Sequence, residues 1–587
     1  MRRWTWISIF AMIMSATLAV GLGAAVSLRA TPNAQPRLVV LIIFDQLRGD
    51  YLDRWASAFG ERGFRRLERD GAWFTNCHYS YAGTETGPGH ASIVTGCFPS
   101  VHGIIANDWY DRAAGELAYC VTADRFETVR SIAVQNAGAS GGDDDDGRDS
   151  KAAVKRVRGG APVRLLAPTV ADAIQTASRG QAKIASIAMK DRSAILMGGQ
   201  QPTACYWFDF RTGTFCTSTY YRDAPAEWVR RFNSARPAER WFGRVWDRAR
   251  PDLDYEALSG PDDVVGEGLG VQRCQGRTFP HLMTAGRSLP CKAYFDTLYA
   301  SPFGNELLLE FVWAALDGEQ LGHHAATDLL CVSFASNDSV GHIFGPDSQE
   351  VLDMTIRSDQ ILGELLDGLD ERFGRGQYAI VLSSDHGVCP LPEVSRQRGI
   401  AASRVDPDDV QREIRAALNA RFGVHDDKAA WLDKIEFPWF YLNRRYLAAR
   451  GLSATVVGEA LADWLREQPW VVAAMSREQL SAPTPPQDAW TVMMARSFVP
   501  DRSGDVAAVI RPYYLFHSQR TGTGHGSPHP YDTHVPLMVL GPGVPVGRFD
   551  EPVTPLAAAV IGAKLAGAPA PAKATVDLPK SLQLRRN

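Results

Sequence analysis

The sequence has little cysteine and no excess of basic residues. Its nine cysteines are scattered through 587 residues, with no CxxC pair and no zinc-finger spacing. A thiolate metal site is therefore excluded, and any metal must be sought among histidine and aspartate. The count is odd, so at least one thiol stays unpaired within the chain; Cys274 with Cys291 and Cys205 with Cys216 are the candidate pairs. Lysine and arginine number 62 against 66 acidic residues, a formal charge of −4. With no basic excess to neutralise a run of phosphates, nucleic acid polymer is excluded as the main partner. A small anionic substrate held by a few local cations remains open. No internal repeat is visible, and only one apolar run is long enough to cross a bilayer.

That run lies at the N-terminus. Arg2 and Arg3 precede an uncharged, mostly apolar stretch over residues 4–28, which Arg29, Pro32 and Pro36 break. A positive start, an apolar run and small residues around Gly23, Ala24 and Ala25 make residues 1–30 an export signal. At about 20 residues per crossing, the same run also suits a retained membrane anchor. Either way the body of the protein is expected outside the cytoplasm, in the periplasm or extracellular, where disulfides form. Hydrophobic residues make up 45% and charged residues 22%, which excludes wholesale disorder. The length allows three or four domains at about 100–200 residues each.

Short apolar runs at 37–44 (RLVVLIIF), 183–189 (KIASIAM), 328–335 (DLLCVSFA), 378–383 (YAIVLS) and 535–540 (VPLMVL) read as strands buried on both faces. Most are followed at once by a polar, chemically capable residue. A helix is expected over 348–369, with acidic residues in its first turns. The pattern predicts an α/β fold: a doubly wound, mostly parallel central sheet with helices on both faces and ligands beyond the carboxyl ends of its strands. Stretches of about 200–325 and 390–520 interrupt it as inserted α+β cap segments, the first opening with a hairpin that turns at Arg211, Thr212 and Gly213. The expected organisation is one discontinuous catalytic domain over 37–545. Residues 138–160 form a low-complexity loop, in which the run from Asp143 to Asp146 reads as solvated rather than calcium-binding. An Ala/Pro-rich tail follows at 552–587.

Chemistry gathers at the strand ends. In GTETGPGHASIVTG (83–96), Thr86 precedes Gly87, Pro88 and Gly89, and a helix is expected from Ala91 onward. A hydroxyl there faces the positive end of a helix dipole, where an anion is welcome. Taken alone, the same pattern describes a threonine that merely caps the helix. Asp45 ends the first strand. Asp338 and His342, four apart, converge if their segment is helical. Asp385 and His386 are adjacent at another strand end, and His525 lies in a glycine-rich loop. Oxygen and nitrogen ligands without thiolate suit zinc in an open, catalytic coordination, and six are enough for two ions. Lys190 and Arg192 are two apart; in an extended segment they share a face and can point into one cavity. Asn107 offers an amide donor.

Together TGPGHASIVTG, GIIANDWYD, MKDRSAILMGG, SNDSVGHIFGP, SSDHGV and HGSPHPYDTHVPL resemble the alkaline phosphatase superfamily. Within it they are most similar to the phosphate-irrepressible alkaline phosphatases, which have a threonine nucleophile and stand near the nucleotide pyrophosphatase/phosphodiesterase branch. The resemblance implies two zinc ions per chain, one held by Asp338, His342 and His525, the other by Asp45, Asp385 and His386 with the Thr86 oxygen. It implies Thr86 as nucleophile, with Asn107, Lys190 and Arg192 binding the transferred phosphoryl group. His529 and His534 lie close to His525, whose HG context makes it the expected ligand. The implied activity is hydrolysis of small phosphate monoesters through a phosphothreonine. The alternatives are a phosphodiesterase or nucleotide pyrophosphatase, and a noncatalytic binding protein on the same fold. A sulfatase is disfavoured, because that family needs Cys or Ser followed by x-Pro-x-Arg and here His90 stands where the arginine would.

Overall fold

A computed structural model describes residues 35–131, 158–482 and 488–583. The N-terminal export segment and the run from Asp143 to Asp146 lie outside them. Four of the expected strands form the centre of the molecule: β1 (Leu38–Phe44), β2 (Ile184–Ala188), β3 (Asp328–Phe334) and β4 (Tyr378–Ser383). Every residue of β1 is buried. Its odd and even positions enter two different cores: Leu38, Val40, Ile42 and Phe44 pack on one face of the sheet, and Val39, Leu41 and Ile43 on the other. A strand covered on both faces has no use for polar alternation, which is why the run reads as continuously apolar.

The order β4-β1-β3-β2 is parallel throughout, and Ala204–Asp209 adds a fifth parallel strand beside β2. The full sheet has eleven strands among the described residues and is mixed. The closing run of the predicted series, Leu537–Leu540, pairs antiparallel with β4. The aromatic-rich hairpin forms as expected between Ala204–Asp209 and Thr214–Ser218, and it lies within the central sheet. Its register opposes Trp207 to Cys216, so Cys205 is only a diagonal neighbour of Cys216. Diagonal Cβ atoms are separated by roughly 7–8 Å, beyond the ~3.5–4.5 Å a disulfide needs. All nine cysteines are described and all are free thiols; Cys274 Sγ lies instead 3.2 Å from the Gln272 carbonyl, so neither candidate pair forms.

The helix α4 (Gln349–Phe373) covers one face, its first turn capped by Ser348, whose hydroxyl accepts from Val351 N. Ala557–Leu565 covers the other. A second, four-stranded antiparallel sheet is built from Leu432–Glu436, Trp439–Leu442, Val506–Ile510 and Val471–Ser476, with its own apolar core around Phe440, Leu461 and Val506. Among the described residues no helix is long and apolar enough to cross a membrane.

Candidate active site

The site forms where the parallel strands end. Helix α1 runs from Thr86 to Thr95, starting five residues earlier than the glycines suggest. Glu85 is extended (φ −123°, ψ 166°) and the chain turns into the helix at Thr86 itself; Pro88 is accommodated in the first turn, where its missing N–H has no helical partner. Gly89 explains the close approach. A Cβ there would lie 2.3 Å from the Asp385 carbonyl oxygen, so only glycine lets the helix start rest on the end of β4. Thr86 is buried at this junction.

Lys190 and Arg192 converge, though not through an extended segment. Lys190 is the N-cap of α2 (Asp191–Gly198) and Arg192 lies in its first turn. The strand-to-helix turn brings Lys190 Nζ to 3.3 Å and Arg192 Nη2 to 3.4 Å from Thr86 Oγ1. Lys190 Nζ also lies 2.6 Å from Asp338 Oδ2 and 3.0 Å from Asp45 Oδ2. Asn107 approaches from the other side, its Oδ1 accepting Gly87 N–H at 2.8 Å. Helix α3 (Ser336–Phe344) puts Asp338 and His342 one turn apart, as their spacing predicts.

Two groups of three converge beside Thr86, Asp338 with His342 and His525, and Asp45 with Asp385 and His386; within each, the ligand atoms lie within 4.8 Å of one another. The histidine rings adjoin, with His386 and His525 stacked at 3.6 Å between centroids. In all three imidazoles Nδ1 faces a backbone carbonyl: Thr523 for His342, Thr84 for His525 and Gly387 for His386, at 2.8–2.9 Å. Carbonyls only accept, so Nδ1 carries the hydrogen and Nε2 presents a lone pair. Those lone pairs meet carboxylate oxygens: His342 and His525 face Asp338 Oδ1 at 3.2 and 3.6 Å, and His386 faces Asp45 Oδ1 at 3.5 Å. In the neutral tautomer acceptor faces acceptor, a repulsion that only a proton or a metal ion between them relieves. Asp45 Oδ1 and His386 Nε2 are buried without a hydrogen-bond partner, while Asp45 Oδ2 faces Lys190 Nζ and Asp385 Oδ2 faces His90 Nδ1, each at 3.0 Å. The donor set thus fits metal ions, and the backbone carbonyls fix the ligating nitrogen.

The electrostatics agree. Burial and the Asp385 carboxylate push Asp45 well above the usual carboxylate range. Burial opposes ionisation of Asp338 too, but His342 and Lys190 hold it well below that range. Asp385 is likewise held low against burial by His386 and His90. Burial lowers His386, and burial with the neighbouring His386 and His342 rings pushes His525 far down, so both favour the neutral imidazole that a metal ion would need. Lys190 stays ammonium against its burial because Asp338 and Asp45 face it.

Several side chains escaped the sequence reading. Gln46, at φ 62°, donates its backbone N–H to Asp385 Oδ1 and its Nε2 to Asp338 Oδ1 at 2.6 Å, linking the two groups. Its one signal is its place directly after a strand-end aspartate. His90 Nδ1 lies 2.9 Å from Thr86 O and 3.0 Å from Asp385 Oδ2, and Glu85 Oε2 accepts Asn107 N–H at 2.8 Å. His529 and His534 stand apart from the site, facing the Ile510 and Thr75 carbonyls.

Residues 39–532 match the family model for type I phosphodiesterase / nucleotide pyrophosphatase. The chain is 34% identical to alkaline phosphatase PafA of Elizabethkingia meningoseptica over 538 residues, 91% of each chain. It is 31% identical to alkaline phosphatase PhoV of Synechococcus elongatus over 518 residues, 88% of each. The solved structure of wild-type PafA superposes with a TM-score of 0.83 at 31% identity, covering 94% of this chain and 99% of the other.

Proposed function

Because the chain belongs to the type I phosphodiesterase / nucleotide pyrophosphatase family of the alkaline phosphatase superfamily, and is a hydrolase of phosphoric esters, we propose that it is an exported, zinc-dependent phosphomonoesterase acting through a phosphothreonine at Thr86. The observation that carries the reading is the setting of Thr86 Oγ1, with Lys190 Nζ at 3.3 Å and Arg192 Nη2 at 3.4 Å, beside two convergent carboxylate–imidazole groups. Two zinc ions, one held by Asp338, His342 and His525 and the other by Asp45, Asp385 and His386 with Thr86, would supply Lewis-acid assistance to the attacking and departing oxygens.

The rest is the work of the chain. Thr86 Oγ1 attacks phosphorus in line as the ester oxygen leaves, and water then releases phosphate and restores the hydroxyl. Lys190, held protonated, serves as a fixed positive charge rather than a base. Asn107 commits its Oδ1 to Gly87 N–H, which turns its amide hydrogens to a nonbridging oxygen. Arg192 presents a planar fork to the same group. A monoester offers three nonbridging oxygens and nearly two charges to these donors, whereas a diester has one oxygen blocked. The apolar run after Arg2 and Arg3 supports export.

The family's name supplies the rival reading, a diesterase. One assay separates them: kcat/KM for an aryl monophosphate should exceed that for the matching diester by at least about ten-fold, the worth of one charge-assisted contact. The reverse order overturns the proposal.

A further inference from the structure

Arg192 can serve a phosphoryl group only if its guanidinium is held toward Thr86, and two side chains outside the proposed reaction surround it. Tyr119 ends the strand Glu116–Tyr119, which pairs antiparallel with Asp108–Asp111 so that Asp108 opposes Tyr119. Asn107 immediately precedes this hairpin, and its carbonyl accepts Cys120 N–H at 2.8 Å. The base of one two-stranded unit therefore presents both Asn107 and Tyr119. The Tyr119 hydroxyl donates to Asp191 Oδ1 at 2.6 Å, the same oxygen accepts Arg192 N–H at 2.6 Å, and Arg192 Nη1 donates to the phenol oxygen at 3.3 Å. Arg192 Nη2 completes the chain at Thr86 Oγ1.

The direction of these bonds follows from their chemistry. A phenol has one hydrogen and a carboxylate only accepts, so the hydrogen is committed to Asp191 and a lone pair is left for the guanidinium. Burial and the Asp191 carboxylate push the phenol well above its ordinary range, so it remains protonated. Each bond polarises the next.

We infer that Tyr119 and Asp191 are positioning residues that hold the Arg192 guanidinium in the orientation that meets the nonbridging oxygens of the phosphoryl group. The inference deepens the phosphomonoesterase reading and rests on it. A long guanidinium side chain loses rotamer freedom when a ligand fixes it, and pre-formed contacts remove that loss from the binding step. The contribution of Tyr119 therefore belongs to phosphate affinity and passes through Arg192.

Tyr119→Phe removes one oxygen and keeps the ring. Binding of inorganic phosphate to the zinc-loaded full chain, followed by calorimetry, is compared in the parent, Tyr119→Phe, Arg192→Ala and the double variant. Tyr119→Phe should weaken phosphate about ten-fold in the parent and less than about two-fold in the Arg192→Ala background. Asp191→Asn keeps an acceptor for the phenol and should stay within about three-fold of the parent, whereas Asp191→Ala should match Tyr119→Phe. Equal losses in the two backgrounds, or unaltered phosphate affinity in Tyr119→Phe, overturn the inference. A parent that prefers diesters would overturn the monoesterase reading instead, and the phosphate cycle would still decide the role of Tyr119.

Discussion

At the scale of single residues, Thr86 is the position where losing a hydroxyl and a methyl separates chemistry from structure. Its Oγ1 touches Lys190 and Arg192, and its backbone oxygen keeps its partner His90 whatever the side chain. Thr86→Ala should lower monoester turnover more than about a thousand-fold, the scale of removing a nucleophile. Melting temperature should change little and both zinc ions should stay bound, the second on Asp45, Asp385 and His386 alone; retained turnover would remove Thr86 from the reaction. Lys190→Ala should cost about a hundred-fold in monoester kcat/KM and distinctly less for the diester, because the diester carries less charge for the ammonium to meet. Equal losses would count against the assignment of Lys190 to phosphoryl binding. The three aspartates and three histidines that converge were legible because such types lie just past apolar runs or, for His525, in a glycine-rich loop. Gln46 and Tyr119 were not, since a glutamine and a tyrosine acquire meaning only from what they touch.

At the scale of elements, two packings hold the site together. The N-terminus of α1 rests on the end of β4 at Gly89. Gly89→Ala would put a methyl 2.3 Å from the Asp385 carbonyl oxygen, which is backbone and cannot turn aside. Overpacking of this kind costs about 1–3 kcal/mol. The shift falls on Thr86 and Asp385 together, so monoester activity measured below the melting temperature should drop more steeply than stability. The second packing ties the Asn107 hairpin to the four-stranded sheet. Asp505, 4% exposed, accepts from Arg112 of the hairpin at 2.9 Å, from Leu442 N at 2.8 Å and from Arg444 at 2.6 Å. Asp505→Ala strands a buried amide and an arginine, and a loss of roughly 3 kcal/mol in denaturant unfolding is expected. An unaltered midpoint would show that the hairpin stands without this anchor. Strand positions were readable from composition, but the start of α1 was misplaced. Glycine and proline argue against a helix interior by propensity, and here the close approach to β4 outweighs that preference.

At the scale of the whole molecule, two linkage effects follow from what is buried. Lone pairs and carboxylates gathered in one place favour any state that supplies cations to them. Chelation should lower the melting temperature by several degrees and added zinc should restore it, since a ligand at 100 times its Kd adds about 2.7 kcal/mol. A melting curve indifferent to chelator would contradict the proposed zinc sites. The second effect is acidity. Burial lowers His102 to about 3, with Nδ1 accepting Ile104 N–H and Nε2 facing Ser92 Oγ; His386 and His525 are also lowered by burial. Unfolded histidines titrate near 6.5, so below that pH the unfolded chain binds protons that the folded one refuses. The stability these three histidines contribute to the metal-free protein should therefore be fully present above about pH 6.5 and lost as the pH falls toward 4, while the buried Glu267 and Asp532 carboxyls, raised to about 9 and about 7, contribute with the opposite sign. Thermal unfolding of the parent and of His102→Gln at pH 7.5, 6 and 5 checks this: on acidification the parent should lose more stability than the variant, and identical pH profiles would refute it.

By itself the sequence determined the α/β architecture, the run of strands that build its centre, and the residue types that gather at their ends. These follow from local periodicity and from short spacings, such as the four residues between Asp338 and His342 that a helix converts into one face. Only the tertiary structure decided that the closing strand runs antiparallel, that the cysteines stay apart, and that Arg192 leans on a tyrosine from a separate hairpin. Those outcomes depend on contacts between segments tens to hundreds of residues apart. Strand direction, diagonal register and the reach of a side chain leave no mark on neighbouring residues, and they exist only once the two cores have closed on the sheet.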